Sequence, residues 1–428
     1  MCDTQVWTTP GAIWFAKNSD REPSEPQPVV RYPAVAGDAT RVLRVSHIEI
    51  DQVPDRHGTI LSQPAWCWGA EMGVNDAGVA IGNEAIFSRR ATLRPGLLGM
   101  DLVRLGLERA GTAAAAVEVM TGLLERYGQG GPAGFVDRRF CYDSSFIVAD
   151  AAQAWVLETA GRSWVARRVD GRDAISNALT TGRGAALLRS ADLPGGAGLD
   201  FAARFDRRLM PYFAGSRLRR DLSLRCLAQP GPPGFARLAR HLRAHRGGDD
   251  PAAGSNADVC MHAAGFIRRH QTTGSMIACL RPHGAEVMLT GTSAPCLSIF
   301  RPVAFDGQWS VLTPFEARLS APLWRRHEWL HRWALADAAL RERVRATRDE
   351  LETAMFEALS TENADARHWA DRRAAAWHKV LWESLRTLPR PRLPAHWRRI
   401  AARDGIDPQR TGAEHTYNPA STIGESGT

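Results

Sequence analysis

The chain has 428 residues, of which 44% are hydrophobic and 23% are charged, and its formal net charge is +8. This composition is typical of a soluble globular protein with a large core, in one big domain or two. No run is long and apolar enough to span a bilayer, and the polar start lacks the charged and apolar regions of a signal peptide. The basic residues are mostly arginine and are spread along the chain, which favours a solvated surface over a nucleic-acid-binding stripe.

The cysteines are the first candidates for chemistry. They form neither a CxxC pair nor a metal-ligand spacing, so we expect no metal and no cofactor. An odd number of cysteines without a signal peptide predicts reduced thiols and a cytoplasmic location. The seven stand at positions 2, 67, 141, 226, 260, 279 and 296.

The most unusual thiol is that of Cys2, directly after Met1. If an aminopeptidase removes Met1, Cys2 carries a nucleophile and a free amine on the same Cα. The α-amino group has a reference pKa of about 7.7–8.0 and the thiol one of about 8.5, so the amine can take the proton of the attacking sulfur. This is the logic of an N-terminal-nucleophile hydrolase. The alternative is a disordered terminal residue without a role.

The following residues tie Cys2 into a sheet. Residues 6–15 predict two short strands around the turn Thr9-Pro10-Gly11. Such a hairpin brings Asp20 back towards Cys2. A carboxylate there could hold the new α-ammonium group or orient the amine; the alternative is an ordinary polar loop.

Residues 66–85 are the most informative internal stretch. Two apolar strands flank the turn sequence Asn75-Asp76-Ala77-Gly78, and the second strand is predicted to end at Gly82-Asn83-Glu84. Glycine beside a polar pair at a strand end lets a ligand approach the backbone closely. Asn83 can then offer amide hydrogens to a developing oxyanion. The alternative is a structural asparagine that closes a turn.

The rest of the chain mixes strand and helix patterns, which predicts an α+β fold with sheets covered by helices on their outer faces. In the last quarter, residues 321–359 and 366–385 are helical, a proline-rich break follows, and residues 411–428 are polar. The other predicted elements are strands at 41–50, 144–148, 154–158, 163–168, 272–280, 286–290 and 297–300, helices at 99–127, 201–209 and 236–245, and a loop at 247–251.

Several blocks together resemble a known family. They include Cys2-Asp3-Thr4, residues 15–22, residues 68–73, Gly82-Asn83-Glu84-Ala85, Ser176-Asn177, residues 271–276, residues 290–296 and Trp324-Arg325-Arg326-His327-Glu328. The chain resembles the secernin group of the C69 peptidase family, within the Ntn-hydrolase superfamily that also holds the penicillin V acylase and bile salt hydrolase group.

The resemblance implies a fold and a division of the chain. Residues 1–320 are expected to form a four-layer αββα sandwich, and residues 321–428 a helical C-terminal region packed on it. The aromatic residues of this region predict packing on the sandwich or on a second subunit. Packing within the chain is favoured, and a homo-oligomer is the alternative.

The resemblance also implies roles for single residues. Cys2 matches the nucleophile, Asp20 the aspartate at its amine, Asn177 the oxyanion-hole asparagine and Asn83 a second contributor to that hole. Lys17 stands where the acylase relatives carry an arginine, so the charge is kept and the planar fork is lost. A later arginine near the nucleophile is implied too, and the candidates for it are Arg204, Arg207 and Arg269.

We therefore expect an N-terminal cysteine amide hydrolase, a dipeptidase that acts on small linear peptides through a Cys2 thioester. The predicted substrate-binding residues are Lys17, Trp68 and Glu84. One alternative is an acylamide hydrolase of the penicillin V acylase type, and another is a non-catalytic secernin-like interaction protein. The expected partner is a small peptide or acyl amide, without nucleic acid or membrane.

Overall fold

The computed structural model describes residues 1–406 except 196–197, 208, 247, 249–253, 266 and 360–363. The predicted polar segment 411–428 and most of the predicted loop 247–251 lie outside the described residues. The strands are β1 Cys2–Thr9, β2 Ala12–Arg21, β3 Val29–Tyr32, β4 Val42–Arg44, β5 Glu49–Asp51, β6 Thr59–Ser62, β7 Met72–Asn75, β8 Ala80–Ile86, β9 Asp143–Ala149, β10 Ala154–Ala160, β11 Ser163–Arg168, β12 Arg172–Ile175, β13 Leu188–Arg189, β14 Gln271–Arg281, β15 Gly284–Leu289 and β16 Arg301–Val303. The helices are α1 Gly99–Arg109, α2 Ala113–Tyr127, α3 Phe201–Phe205, α4 Leu209–Phe213, α5 Ser216–Ala228, α6 Phe235–Leu242, α7 Pro322–Ala336, α8 Ala338–Leu359, α9 Ala364–Leu385 and α10 Ala395–Asp404.

Two antiparallel sheets lie face to face. Among the described residues, sheet A has the strand order β12-β1-β2-β14-β15-β16 and sheet B the order β13-β11-β10-β9-β8-β7-β6-β3. Successive side chains of a strand point to opposite faces, so each sheet offers one apolar face to the other. Phe15 and Met276 of sheet A and Val74 and Ile147 of sheet B lie in this shared core, fully buried.

Helices cover the outer face of each sheet. Leu102 of α1 packs in one cluster with Ile81 of sheet B, and Leu238 of α6 packs in another with Ile277 of sheet A. The layers are therefore helix, sheet, sheet and helix. The four-layer αββα sandwich is confirmed.

The C-terminal helices pack against the same chain. The Trp324 indole nitrogen donates to the Thr273 carbonyl at 3.0 Å, and Leu330 and Trp333 share a buried cluster with Leu297. Among the described residues, no helix is long and apolar enough to cross a membrane.

Several element predictions are wrong because local turns interrupt an apolar pattern. The strand predicted at 41–50 is a hairpin of β4 and β5, turned where the Val45 amide donates to the Ile48 carbonyl. The helix predicted at 99–127 divides in two, since the Thr112 side chain caps the start of α2. The strand predicted at 297–300 is irregular, and the next strand begins at Arg301. Helix α5 was not predicted at all.

Candidate active site

The hairpin of β1 and β2 positions residue 2. Cys2 pairs with Ser19 across the two strands, and the connecting turn uses Gly11 with a φ of +82°, a conformation that glycine adopts without strain. The predicted hairpin is confirmed, although β1 already begins at Cys2. Met1 precedes the strand, and its amino group donates to the Asp20 carbonyl at 2.8 Å.

A pocket of about 330 Å³ opens at this end of the hairpin. Met1 lies in it beside Cys2, and the Cys2 side chain is only 3% exposed. The other residues that line the pocket are Asp20, Arg21, Glu22, Glu25, Glu71, Ala85, Ala133, Gly134, Phe140, Tyr142 and His270.

The thiol of Cys2 is held in its protonated form. Its Sγ lies 3.4 Å from the Asp20 amide nitrogen and 3.7 Å from Glu71 Oε2. Burial raises the pKa of the Cys2 thiol to about 12, while the charge of Lys17 lowers it and that of Glu71 raises it. A group that accepts the proton is therefore needed before the sulfur can attack.

Asn177 contacts the backbone nitrogen of Cys2. Its Oδ1 accepts from the Cys2 nitrogen at 2.9 Å and from Arg219 Nη2 at 2.7 Å, and its Nδ2 donates to the Ala85 carbonyl at 2.9 Å. An arginine can only donate and a carbonyl can only accept, so these partners determine which way the amide points. The oxygen of Asn177, rather than its NH₂ group, thus faces the nitrogen that would become the free amine.

Arg219 of α5 is the functional candidate that the sequence analysis missed. Its Nη1 donates to the Cys2 carbonyl at 2.9 Å and to Asp3 Oδ2 at 2.6 Å, and it lies 4.0 Å from Asp20 Oδ2. The residue is fully buried. The buried face of α5 holds Ser216, Arg219, Ser223 and Leu227. Because three of these four residues are polar, no apolar periodicity in the sequence marks Arg219 as inward-facing.

The three arginines considered from the sequence lie elsewhere. Arg204 and Arg207 are exposed at the end of α3, and Arg269 forms an ion pair with Asp137 at 3.6 Å on the surface. None of these three arginines is shown in contact with Cys2. Arg219 takes the expected position instead, because α5 packs beside the nucleophile and Arg219 donates to the Cys2 carbonyl.

Asp20 directs one carboxylate oxygen towards Arg219, at a distance of 4.0 Å. Oδ1 accepts from Thr272 Oγ1 at 2.6 Å, whereas Oδ2 is buried and makes no hydrogen bond with the described residues. Burial raises the pKa of Asp20 to about 6, although the positive charges of the chain's amino group and Arg219 lower it. The free oxygen lies on the side of Arg219 and can accept from an ammonium group.

Glu71 connects the thiol with three further residues. Its Oε1 accepts from Arg21 Nη1 at 2.9 Å, and its Oε2 lies 3.9 Å from Lys17 Nζ. The Asn83 amide group lies 2.9 Å from the Glu71 carbonyl and 2.8 Å from Oε2, and since both of these atoms are acceptors, the orientation that satisfies them has Asn83 Nδ2 as the donor. The structure therefore brings Asn83 into contact with Glu71, and Glu71 in turn contacts the Cys2 sulfur. Asn83 also lies inside β8, which runs on to Ile86 instead of ending at Glu84.

Lys17 and Glu84 form a buried pair between the sheets. Lys17 Nζ donates to the Asn83 carbonyl at 2.6 Å and lies 3.5 Å from Glu84 Oε1, which also accepts from Thr4. Burial alone would lower the pKa of Lys17, but the charges of Cys2, Glu84 and Glu71 outweigh burial and raise it. Burial raises the pKa of Glu84 to about 8, against the lowering effect of Lys17.

The predicted substrate-binding residues are not brought to the pocket. Lys17 and Glu84 are completely buried behind it. Trp68 packs under the guanidinium of Arg104, 4.1 Å from the ring centre. None of the three is among the residues that line the pocket.

A protein-family model matches one part of the chain. Residues 59–180 match the model of peptidase family C69. The matched region includes Glu71, Asn83 and Asn177, while Cys2 and Arg219 lie outside it. The match supports a peptidase or amidohydrolase of the C69 type.

Some solved structures are similar to the chain at low sequence identity. A conjugated bile acid hydrolase from Clostridium perfringens is 12% identical, with 68% of this chain and 88% of that chain covered and a TM-score of 0.36. A penicillin V acylase from Agrobacterium tumefaciens is 12% identical, covering 73% and 88%, with a TM-score of 0.36. A Caenorhabditis elegans N-acylethanolamine-hydrolyzing acid amidase orthologue is 10% identical, covering 65% and 92%, with a TM-score of 0.33.

Proposed function

We propose that the chain, once Met1 is removed, is an N-terminal cysteine hydrolase that cleaves small linear peptides, above all dipeptides, through a thioester on Cys2. The observation that carries the proposal is the double contact on residue 2. Asn177 Oδ1 accepts from its backbone nitrogen at 2.9 Å, and the Asp20 amide donates to its Sγ at 3.4 Å. A free amine at this nitrogen would keep the Asn177 contact, and Asp20 Oδ2, which makes no hydrogen bond with the described residues, is its proposed counter-ion.

Removal of Met1 serves two purposes in this proposal. It creates the amine that the protonated thiol needs as a base, and it empties the part of the pocket that Met1 fills. The small Cys2 side chain favours removal, because methionine aminopeptidases act before small residues.

The reaction then follows from these positions. The amine of Cys2 takes the thiol proton, and Sγ bonds to the substrate's carbonyl carbon, whose π electrons move to the oxygen. The second Nδ2 hydrogen of Asn177 is the candidate donor to this oxyanion. The Cys2 ammonium returns its proton to the leaving amine as the C–N bond breaks, and a water molecule hydrolyses the thioester with the same amine as base.

The pocket favours a substrate with a charged end, because Arg21, Glu22 and Glu71 line it. Glu25 Oε2 is buried without a hydrogen bond to the described residues, so it is a free acceptor for the ammonium group of a peptide.

An acyl amide is the second candidate substrate. The rings of Phe140 and Tyr142, with centroids 5.4 Å apart, border the pocket and offer apolar surface to an acyl group. The two substrates differ in charge at the end that enters the pocket, so an assay separates them.

The test is a panel of dipeptides and N-acyl amino acids, assayed with the parent protein, Cys2→Ser and Cys67→Ser. We expect the parent and Cys67→Ser to cleave dipeptides and Cys2→Ser to be inactive, with the intact mass showing a chain without Met1. Cleavage of acyl amides alone would move the assignment to an acylase. A folded parent that cleaves nothing would favour the interaction protein.

A further inference from the structure

A second group of reactive side chains lies outside the pocket. It comprises His245, Cys260, His262 and Cys296, here called the His–Cys cluster. In the described part of the chain, one nitrogen or sulfur atom of each lies within 4.8 Å of all the others. His262 Nε2 is 3.2 Å from His245 Nε2, 3.3 Å from Cys296 Sγ and 3.8 Å from Cys260 Sγ.

These separations match the edges of a metal-centred tetrahedron. With Zn–S bonds of about 2.3 Å and Zn–N bonds of about 2.0–2.1 Å, neighbouring ligand atoms lie roughly 3.3–3.8 Å apart. Two imidazoles whose nitrogens face each other at 3.2 Å share at most one hydrogen bond. A cation at the centre of the cluster would contact all four of these atoms at once.

The neighbours of His262 bind its Nδ1 and leave its Nε2 available as a metal ligand. Its Nδ1 lies 3.2 Å from His331 Nε2, and His331 Nδ1 lies 3.3 Å from Glu328. Arg332 donates to Glu328 at 3.1 Å, so this carboxylate accepts the proton of His331 Nδ1. His331 Nε2 then accepts from His262 Nδ1–H, and His262 Nε2 keeps a lone pair directed at the cluster. Metal-bound histidines are oriented by such outer contacts.

Three members of the cluster are buried and His245 is half-buried at its edge. Cys260 is fully buried, and His262 and Cys296 are each about 3% exposed. None of the four lines the pocket beside Cys2. Two thiolates and two neutral imidazoles balance the charge of one Zn²⁺. The complex is therefore neutral and avoids the free-energy cost of burying a net charge. Four protein ligands without an open position are typical of a structural zinc site and not of a catalytic one.

We infer that His245, Cys260, His262 and Cys296 bind one structural zinc ion. Mixed thiolate and imidazole ligands in a tetrahedron favour zinc over magnesium or calcium, which prefer oxygen. The inference opposes the sequence-based expectation of no metal. Spacing could not reveal the site, because the ligands come from the end of α6, the loop before β14 and the loop after β15.

The ion would also support the nucleophile's surroundings. Cys260 precedes Met261, whose amide donates to Thr272 Oγ1 at 2.9 Å. The same hydroxyl donates to Asp20 Oδ1 at 2.6 Å. A fixed Cys260 therefore holds the residue that orients Asp20.

The test is the metal content of the untagged full-length protein, purified without chelators from zinc-supplemented cells. Elemental mass spectrometry should find about one zinc per chain, as a four-ligand site requires, in the parent and in Cys279→Ser. Cys279 is an equally buried cysteine outside the cluster, so it controls for loss of a core thiol. The double variant Cys260→Ser/Cys296→Ser should contain almost none.

A second measurement is independent of the variants' folding. Protein made with Co²⁺ should show the sulfur-to-cobalt charge-transfer and d–d absorption of a tetrahedral thiolate site. Zinc-free parent protein, zinc retained by the double variant, or a Cys260–Cys296 disulfide found by mass spectrometry under non-reducing conditions would each overturn the inference.

Discussion

Two groups of buried thiols lie in this molecule, and their neighbours assign them to different chemistry. Cys2 has the Asn177 side chain at its nitrogen, the Glu71 carboxylate at its sulfur and a pocket in front of it. Cys260 and Cys296 have imidazoles as neighbours and do not line the pocket beside Cys2. A thiol beside a proton acceptor and a cavity is suited to attack, whereas enclosed thiols beside imidazoles are suited to bind a metal.

The two groups are also connected. Thr272 accepts from the Met261 backbone beside one group and donates to Asp20 in the other. Disturbing the His–Cys cluster should thus weaken the active site indirectly, while disturbing Cys2 should leave the cluster intact. The following predictions test this difference, from the largest expected effect to the smallest.

Cys2→Ser should give the largest loss. Turnover of a dipeptide should fall by about 10³-fold or more, because the hydroxyl is a far weaker nucleophile than the thiol at the same position. Zinc content should stay at the parent's value. Single-turnover kinetics and elemental analysis of one preparation measure both, with Cys67→Ser as the control. Loss of zinc in Cys2→Ser would contradict the expectation that the His–Cys cluster does not depend on Cys2.

Arg219→Met should strongly destabilise the fold. The substitution keeps the side chain's length but leaves the buried carboxylate of Asp3 without its partner. Breaking a buried ion pair by removing one partner typically costs about 3–5 kcal/mol. Urea unfolding followed by circular dichroism measures the change, and exposed Arg204→Met should unfold like the parent. Equal midpoints for both variants would contradict the place given to Arg219.

Asn177→Ala should lower kcat by about 10²–10³-fold, the usual effect of removing one oxyanion donor, with KM little changed. The asparagine also holds the nitrogen of Cys2, so the loss should appear in the chemical step. Asn256→Ala is the matched control, because Asn256 contacts Arg219 through its backbone carbonyl, which alanine retains. An unimpaired kcat would remove Asn177 from the site.

The pH dependence of kcat/KM reports on Asp20. Burial raises the pKa of this carboxyl to about 6, so Asp20 is neutral below that pH and charged above it. Only the charged form can hold the Cys2 ammonium. Activity should therefore fall further as the pH drops through about 6, below the separate decline that protonation of the Cys2 amine causes near its reference pKa of about 7.7–8.0. An acidic limb at the ordinary aspartate value of about 3.9 would contradict this environment.

Trp68→Ala should have the smallest effect on activity. Trp68 packs on Arg104 and does not line the pocket, so KM for a dipeptide should stay close to that of the parent. Tyr142→Phe, which alters a pocket residue, is the comparison variant. A large rise in KM for Trp68→Ala alone would restore its predicted role in substrate binding.

Local patterns in the sequence were sufficient for the β1–β2 and β7–β8 hairpins, but not for the β4–β5 hairpin. A two-residue turn fixes the register of β1 and β2, so the approach of Asp20 to Cys2 followed from neighbouring residues. The turn between β7 and β8 followed in the same way. The position of Cys2 after Met1 is likewise readable from the chain alone.

The partners of each thiol were decided only by the tertiary structure. Asn177 lies 175 residues from Cys2 and Arg219 lies 217 residues away, and the His–Cys cluster joins three separate segments. Protonation, orientation of an amide and metal affinity all depend on burial and on neighbouring charges. The packing of distant segments sets these quantities. Residue types in the sequence therefore indicate that a nucleophile is present, but only the folded chain determines which thiol is suited to attack and which thiols are suited to bind a metal.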